Sequence, residues 1–122
     1  MRHFRDGSGP RVDGTAWKTA RVAVIETMTF RLVDGADEAA FLAADKQLQS
    51  EFAYQQPGLV RRTTARGEGA RWGEWIVVDL WESARHADDC AARWDDDPIA
   101  RGFMSFVDRS TLDVRRYADL PG

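Results

Sequence analysis

The chain is poor in the residues that most often announce a chemistry. It has one cysteine, Cys90. That excludes a disulfide framework and makes a cytoplasmic setting the expected one. It has two histidines, and His3 and His86 lie too far apart in sequence to write a two-histidine metal motif. No apolar run approaches the ~18 residues that a bilayer crossing needs, so no membrane partner is expected. The first twenty residues, MRHFRDGSGPRVDGTAWKTA, lack the apolar centre of a secretory signal. Positive charge is not in surplus either. Seventeen Lys and Arg stand against twenty Asp and Glu, giving a net charge of −3 with the signs interspersed. That distribution argues against a nucleic-acid partner.

Aromatic and apolar residues are what the chain does have, at 11% and 43%. This composition belongs to a globular domain. A single domain of 122 residues buries roughly two thirds of its unfolded surface, enough for a core. The densest stretch is Trp72–Trp81, WGEWIVVDLW, with three of the five tryptophans and one acid, Asp79. It reads as the central strand of a small sheet.

The other elements fall around it. Residues 1–20 are polar and broken by Gly and Pro, and read as a flexible leader, or as an arm carrying Trp17 onto a neighbouring surface. Val22–Leu32 alternates as a strand, its even face apolar except for Glu26. Asp37 can cap a helix in which Phe41, Ala44, Leu48 and Phe52 recur, ending near Tyr54. Gln56-Pro57-Gly58 stops it, and Leu59–Arg66 is the second strand, joined to the third by a Gly-rich hairpin loop. Ser83 caps a second helix with Ala84, Ala87, Ala91 and Trp94 as its apolar stripe. Asp95-Asp96-Asp97 interrupts it, and Pro98 opens a further helical segment that buries Ile99, Phe103, Phe106 and Val107. Thr111–Tyr117 is the last strand, leaving 119–122 as a tail. The order β-α-β-β-α-β predicts an α+β, ferredoxin-like domain over 21–118: a four-stranded antiparallel sheet with its helices on one face.

Helices on one face leave the other to be covered by something else. The third strand is apolar on both sides, with Trp75, Val77 and Trp81 on one and Trp72, Ile76, Val78 and Leu80 on the other. A second copy packed sheet to sheet would satisfy it, so a symmetric homodimer is expected.

Pro57-Gly58 before the second strand, Trp81-Glu82-Ser83 after the third, and the amphipathic segment holding Phe103-Met104 resemble the dimeric α+β barrel superfamily. Within it, the chain is most similar to the antibiotic biosynthesis monooxygenase-like (ABM-like) proteins, over residues 21–118. The resemblance implies a pocket between the sheet and its helices. It also implies, for some members, oxygenation of polycyclic phenols with neither metal nor flavin, so no cofactor is expected. Other members degrade haem, and Trp81 matches the tryptophan that branch keeps. That branch's iron-ligating histidine has no counterpart in Arg101-Gly102-Phe103-Met104, and its strand-one asparagine is replaced near Met28. Both departures argue against haem degradation.

Several residues could carry chemistry in such a pocket. Asp79 shares a strand face with Trp75, Val77 and Trp81, which would desolvate it and suit it to act as a general base. It could equally pair with an arginine such as Arg61, Arg62 or Arg116. Glu26 is either a second carboxylate in the pocket or a partner for Arg31 or an arginine of a second subunit. His86, in the first turn of the second helix, could shuttle protons at the pocket mouth or simply sit on the helix surface. Trp75, Trp81, Phe103 and Met28 could meet an aromatic ligand or pack as core. Tyr54 could hydrogen-bond a ligand at the rim or close the turn. Cys90 fits the apolar stripe as a small hydrophobe. The ligand these positions suit is an aromatic or polyketide-like small molecule. An oxygenase or cyclase, a non-catalytic binding protein and a purely structural dimer all remain compatible with them.

Overall fold

A computed structural model of the chain describes residues 22–120. The leader over 1–20, with its Trp17 arm, lies outside them. Four strands, β1 (Val24–Leu32), β2 (Leu59–Arg66), β3 (Glu74–Trp81) and β4 (Val107–Ala118), form one sheet in the order β2-β3-β1-β4. Every neighbouring pair is antiparallel. Helix α1 (Glu38–Glu51) links β1 to β2, and α2 (Ala84–Trp94) and α3 (Pro98–Met104) link β3 to β4. This is the α+β, ferredoxin-like arrangement that the element order predicts.

Local chemistry explains where the helices start. The Asp37 carboxylate accepts from the backbone N–H of Ala39 and Ala40 at 3.0 and 3.4 Å, capping α1. Ser83 Oγ accepts from His86 N at 3.3 Å to cap α2. Asp97 accepts from Ile99 N and Ala100 N at 2.8 and 3.0 Å, with Pro98 next in the first turn of α3, where its missing N–H costs nothing. The second helical region is thus two helices, because Asp97 caps a new one.

Two boundaries differ from the sequence expectation. Helix α1 gives way after Glu51 to a short 3-10 turn, Ala53–Gln55, that carries Tyr54. Helix α3 stops at Met104, so Phe106 and Val107 are not part of its buried face. Val107 instead begins β4 opposite Leu32, four residues before the expected start at Thr111. The cause is a bulge. Arg31 pairs with Asp108 and Thr29 with Asp113, so the residues between loop out of the ladder. Thr111 Oγ1 takes up the stranded Arg31 N–H at 2.8 Å and donates to Asp108 O at 2.7 Å.

The core lies between the sheet and the helices. Phe30, Phe41 and Phe103 meet edge to face or tilted at 5.4–6.0 Å, and Trp75 packs on Phe41 at 5.0 Å. Along β3 burial alternates strictly, with Trp75, Val77, Asp79 and Trp81 buried toward the helices. The other face of the sheet carries Ile25, Ile76, Val78, Leu80 and Tyr117, with Thr27, Thr29 and Thr63 among them, and no element of the described chain covers it. Trp72 does not belong to that face. It precedes β3, is 65% exposed, and stacks on the Arg66 guanidinium at 5.2 Å, which also lies over Trp75.

Candidate functional site

A row of four charges crosses the helix-facing side of the sheet. Arg62 on β2 pairs with Asp79 on β3, Asp79 with Glu26 on β1, and Glu26 with Arg116 on β4. The order is cation, anion, anion, cation. Side chains opposite one another in an antiparallel ladder lie ~5 Å apart, so the two central carboxylates are immediate neighbours. Each has its own arginine. Arg116 Nε donates to Glu26 at 2.8 Å and Nη1 to Asp88 of α2, which ties α2 to the sheet. Arg62 Nη1 donates to both oxygens of Asp79 at 3.4 and 3.3 Å.

A cavity of about 240 Å³ opens above this row. Its floor is Glu26, Met28, Arg62, Asp79 and Trp81 from the sheet. Ala87, Cys90, Ala91 and Trp94 of α2 form one wall, with Met104 of α3 and Phe52 and Ala53 behind α1. Leu112 and Val114 of β4 complete it, and Asp95 and Arg109 are also among its lining residues. The lining is mostly apolar and aromatic with a few convergent charges, the general character of small-molecule sites.

The electrostatics follow from burial. Desolvation lifts Asp79 from its ordinary 3.8 to about 6; Arg62 opposes the rise, and Glu26 and Asp45 add to it. A carboxylate poised there is ionised at neutral pH yet basic enough to take a proton. Burial likewise pushes the Cys90 thiol up to about 11, with Asp79 and Glu26 adding, so it stays a neutral wall residue and no nucleophile.

Three buried donors in this site have no acceptor among the described residues: Arg62 Nε, Arg62 Nη2 and Trp81 Nε1. Each unmatched buried donor costs about 1–3 kcal/mol. Native structures hold few such groups, and each calls for a physical explanation.

The structure brings together four of the eight residues that sequence reasoning singled out. Asp79, Glu26, Trp81 and Met28 all line the cavity. The other four do not. Trp75 is buried one rung further along, against Phe41 and Arg66. His86 turns to Ser83, its Nδ1 2.8 Å from Ser83 Oγ, with its ring against Gly58. Tyr54 and Phe103 hold Arg62 from behind. Tyr54 Oη accepts from Arg62 N at 2.8 Å and donates to Arg62 O at 3.3 Å, and the Phe103 ring lies 5.5 Å from the guanidinium.

Arg62 itself was legible only as one of three arginines that might pair with Asp79. The β2–β3 register slips between Leu59 and Arg61, leaving Val60 as the extra residue. Without that bulge, alternation would turn Arg61 inward in its place. Leu112 shares its face of β4 with Val114 and Arg116, as alternation implies, whereas Arg109 lies before the expected start at Thr111 and reaches the cavity only through the other bulge. Among the described residues no group of three or more His, Cys, Asp and Glu side chains could hold a metal ion, and no helix is long and apolar enough to cross a membrane.

No protein-family model matches the chain, and no curated protein sequence does. Solved structures do share its fold. SnoaB of Streptomyces nogalater, a cofactor-independent oxygenase, superposes with a TM-score of 0.66 at 18% identity, over 83% of this chain and 96% of that one. A dimeric ferredoxin-like protein from an uncultured marine organism gives 0.58 at 15% identity, covering 83% and 90%. A Chloroflexus aurantiacus protein provisionally assigned as an antibiotic biosynthesis monooxygenase gives 0.58 at 12% identity, covering 82% and 95%. At these identities the likeness is one of fold, and the fold is the ferredoxin-like one that ABM-like structures carry.

Proposed function

We propose that the chain is a homodimer in which each subunit binds an aromatic or polyketide-like molecule over the carboxylate row and oxygenates it without a cofactor. The observation that carries this reading is Asp79: a carboxylate lifted to about 6 on the floor of an aromatic-lined cavity. Roles follow from placement. Trp81, Trp94 and Met28 offer flat and adaptable apolar surface for a ring system. Asp79 takes a proton from an acidic C–H or O–H of the ligand, and Glu26 beside it raises the basicity of the pair. The ligand carbanion then reduces dioxygen, which bonds to that carbon. Loss of water leaves one oxygen atom in the product as a ketone: CH2 plus O2 gives C=O plus H2O. At about 240 Å³ the cavity lies below the range of roughly 300–1,000 Å³ usual for ligand pockets, which favours two or three fused rings.

Dimerisation is supported by the uncovered face of Ile25, Ile76, Val78, Leu80 and Tyr117 and by the dimeric state of one structure of this fold.

Anthrone, a tricyclic ketone with an acidic CH2, is a suitable probe. Wild-type protein with a chelator present should consume one O2 per anthraquinone formed. Asp79→Asn should lose about 100-fold or more of that rate while keeping the fold. The wild-type rate should rise with pH through about 6, as Asp79 gives up its proton. A rate that Asp79→Asn leaves unchanged would rule out Asp79 as the base. A second reading, non-catalytic binding, is favoured by the Arg62–Asp79 ion pair; on that reading anthrone binds and is recovered unchanged in air.

A further inference from the structure

A second cavity, also of about 240 Å³, adjoins the first. Trp94, Asp95, Met104 and Arg109 line both, and Arg101 completes the second. It lies where the turn between α2 and α3 meets the bulge in β4. The two volumes together fall within the roughly 300–1,000 Å³ usual for ligand sites. Their charges differ in sign. The first has the anions Asp79 and Glu26 in its floor and mostly apolar walls. Three of the five residues around the second are charged, and two of those three are cations.

The two cations are not equivalent. Arg101 donates from Nε to Asp95 O at 2.9 Å and from Nη2 to Asp96 O at 3.3 Å, which closes the carboxyl end of α2. Arg109 is exposed, and no carboxylate among the described residues pairs with it. Its backbone is nonetheless held. Asp108 Oδ1 accepts from Ser110 N at 3.1 Å and from Ser110 Oγ at 2.7 Å, and Asp108 O accepts from Thr111 Oγ1 at 2.7 Å. These bonds fix the bulge on both sides of Arg109 and keep it at the edge of the two cavities. A guanidinium presents there a planar fork that matches a carboxylate.

We propose that Arg109 binds a carboxylate carried by the ligand, so that the second cavity takes the ligand's anionic end while the first takes its rings. The proposal rests on the reading of the first cavity as a ligand site. The surrounding charges set the orientation. Asp79 and Glu26 lie beneath the first cavity and repel an anion from it, and the cations nearest them, Arg62 and Arg116, are already paired with them. Arg109 draws the same anion toward the other end. Asp95 limits how much charge is welcome there. With one carboxylate already on this edge, a monoanion fits better than a phosphate group, which carries roughly two charges at neutral pH. The favoured ligands are therefore aryl carboxylic acids, in preference to their neutral amides.

The test is calorimetric titration of the full-length protein, at neutral pH and low salt, with 2-naphthoate and with 2-naphthamide, which share their rings and differ in charge. Wild-type protein should bind 2-naphthoate about fivefold more tightly than 2-naphthamide. Arg109→Gln should bring the two to equal affinity by weakening 2-naphthoate alone. Arg109→Lys should keep part of the preference, having the charge without the fork. Arg85→Gln removes the same charge from an exposed position at the opposite end of α2 and should leave the preference intact. Wild-type protein that binds the amide as tightly as the acid, or more tightly, overturns the proposal, whichever variants fold. A preference that Arg109→Gln leaves unchanged, or that Arg85→Gln removes as fully, also overturns it. In those cases the bound amide still upholds the first cavity as a ligand site, and only the role of Arg109 falls. Failure of both probes to bind overturns the proposal together with that reading.

Discussion

Asp79 shows how far a residue can be read from its neighbours. Its place between Val77 and Trp81 on a strand implies an aromatic, desolvated setting, and the structure provides one. What alternation could not give is the partner, because a single extra residue at Val60 decides whether Arg61 or Arg62 turns inward. Bulges leave no compositional mark in a short strand, so the cation, anion, anion, cation sequence along the row became visible only with the register. A stability prediction belongs at this scale. Burial first, then Glu26 and Asp45, raises Asp79 to about 6 against the pull of Arg62. The folded chain therefore keeps a proton that the unfolded chain releases near 3.8. The contribution is fully present below pH 4, and rising pH removes it through pH 6. Relative to wild type, Asp79→Asn should gain about 3 kcal/mol of stability between pH 4 and pH 7, read by denaturant melts at a series of pH values. A difference between the two proteins that stays flat over that window would show that Asp79 is not desolvated.

At the scale of elements, turns and caps were the most legible features. Asp37, Ser83 and Asp97 each cap the helix that their position announces. The Pro57-Gly58 pair illustrates what such a signal hides. Gly58 has φ +85°, and a Cβ there would come within 2.2 Å of the His86 ring. The turn before β2 and the first turn of α2 are therefore packed together, and His86 acts as a spacer between elements away from the cavity. Gly58→Ala should cost about 2–3 kcal/mol, combining left-handed backbone strain with the clash. Adding His86→Ala should return part of that cost in thermal melts, whereas strictly additive losses would contradict the contact. The start of β4 was the least legible boundary. Phe106 and Val107 continue a helical spacing of apolar residues, and only pairing with Leu32 across the sheet overrides it.

For the whole molecule, the element order sufficed to read the fold, because β-α-β-β-α-β with short connections leaves few ways to bury one sheet face. The site was half legible: Glu26, Met28, Asp79 and Trp81 followed from alternation, whereas Arg62 depends on the bulge at Val60, and Trp94, Met104 and Arg109 depend on how α2, α3 and β4 come together. The uncovered face makes a prediction at this scale. Wild-type protein should sediment at twice the 13.8 kDa chain mass, and Val78→Asp, a charge set in the middle of that face, should give the single chain with helices intact by circular dichroism. A wild-type monomer would refute the dimer. The proposed function requires the cavity above Asp79 to be a ligand site with its carboxylate poised near neutrality. Carbon-13 NMR of labelled aspartate, titrated with and without a tricyclic aromatic ketone, tests this directly. The Asp79 carboxyl midpoint should lie near 6 and move when the ketone binds. A midpoint near 4, unmoved by ligand, would contradict it.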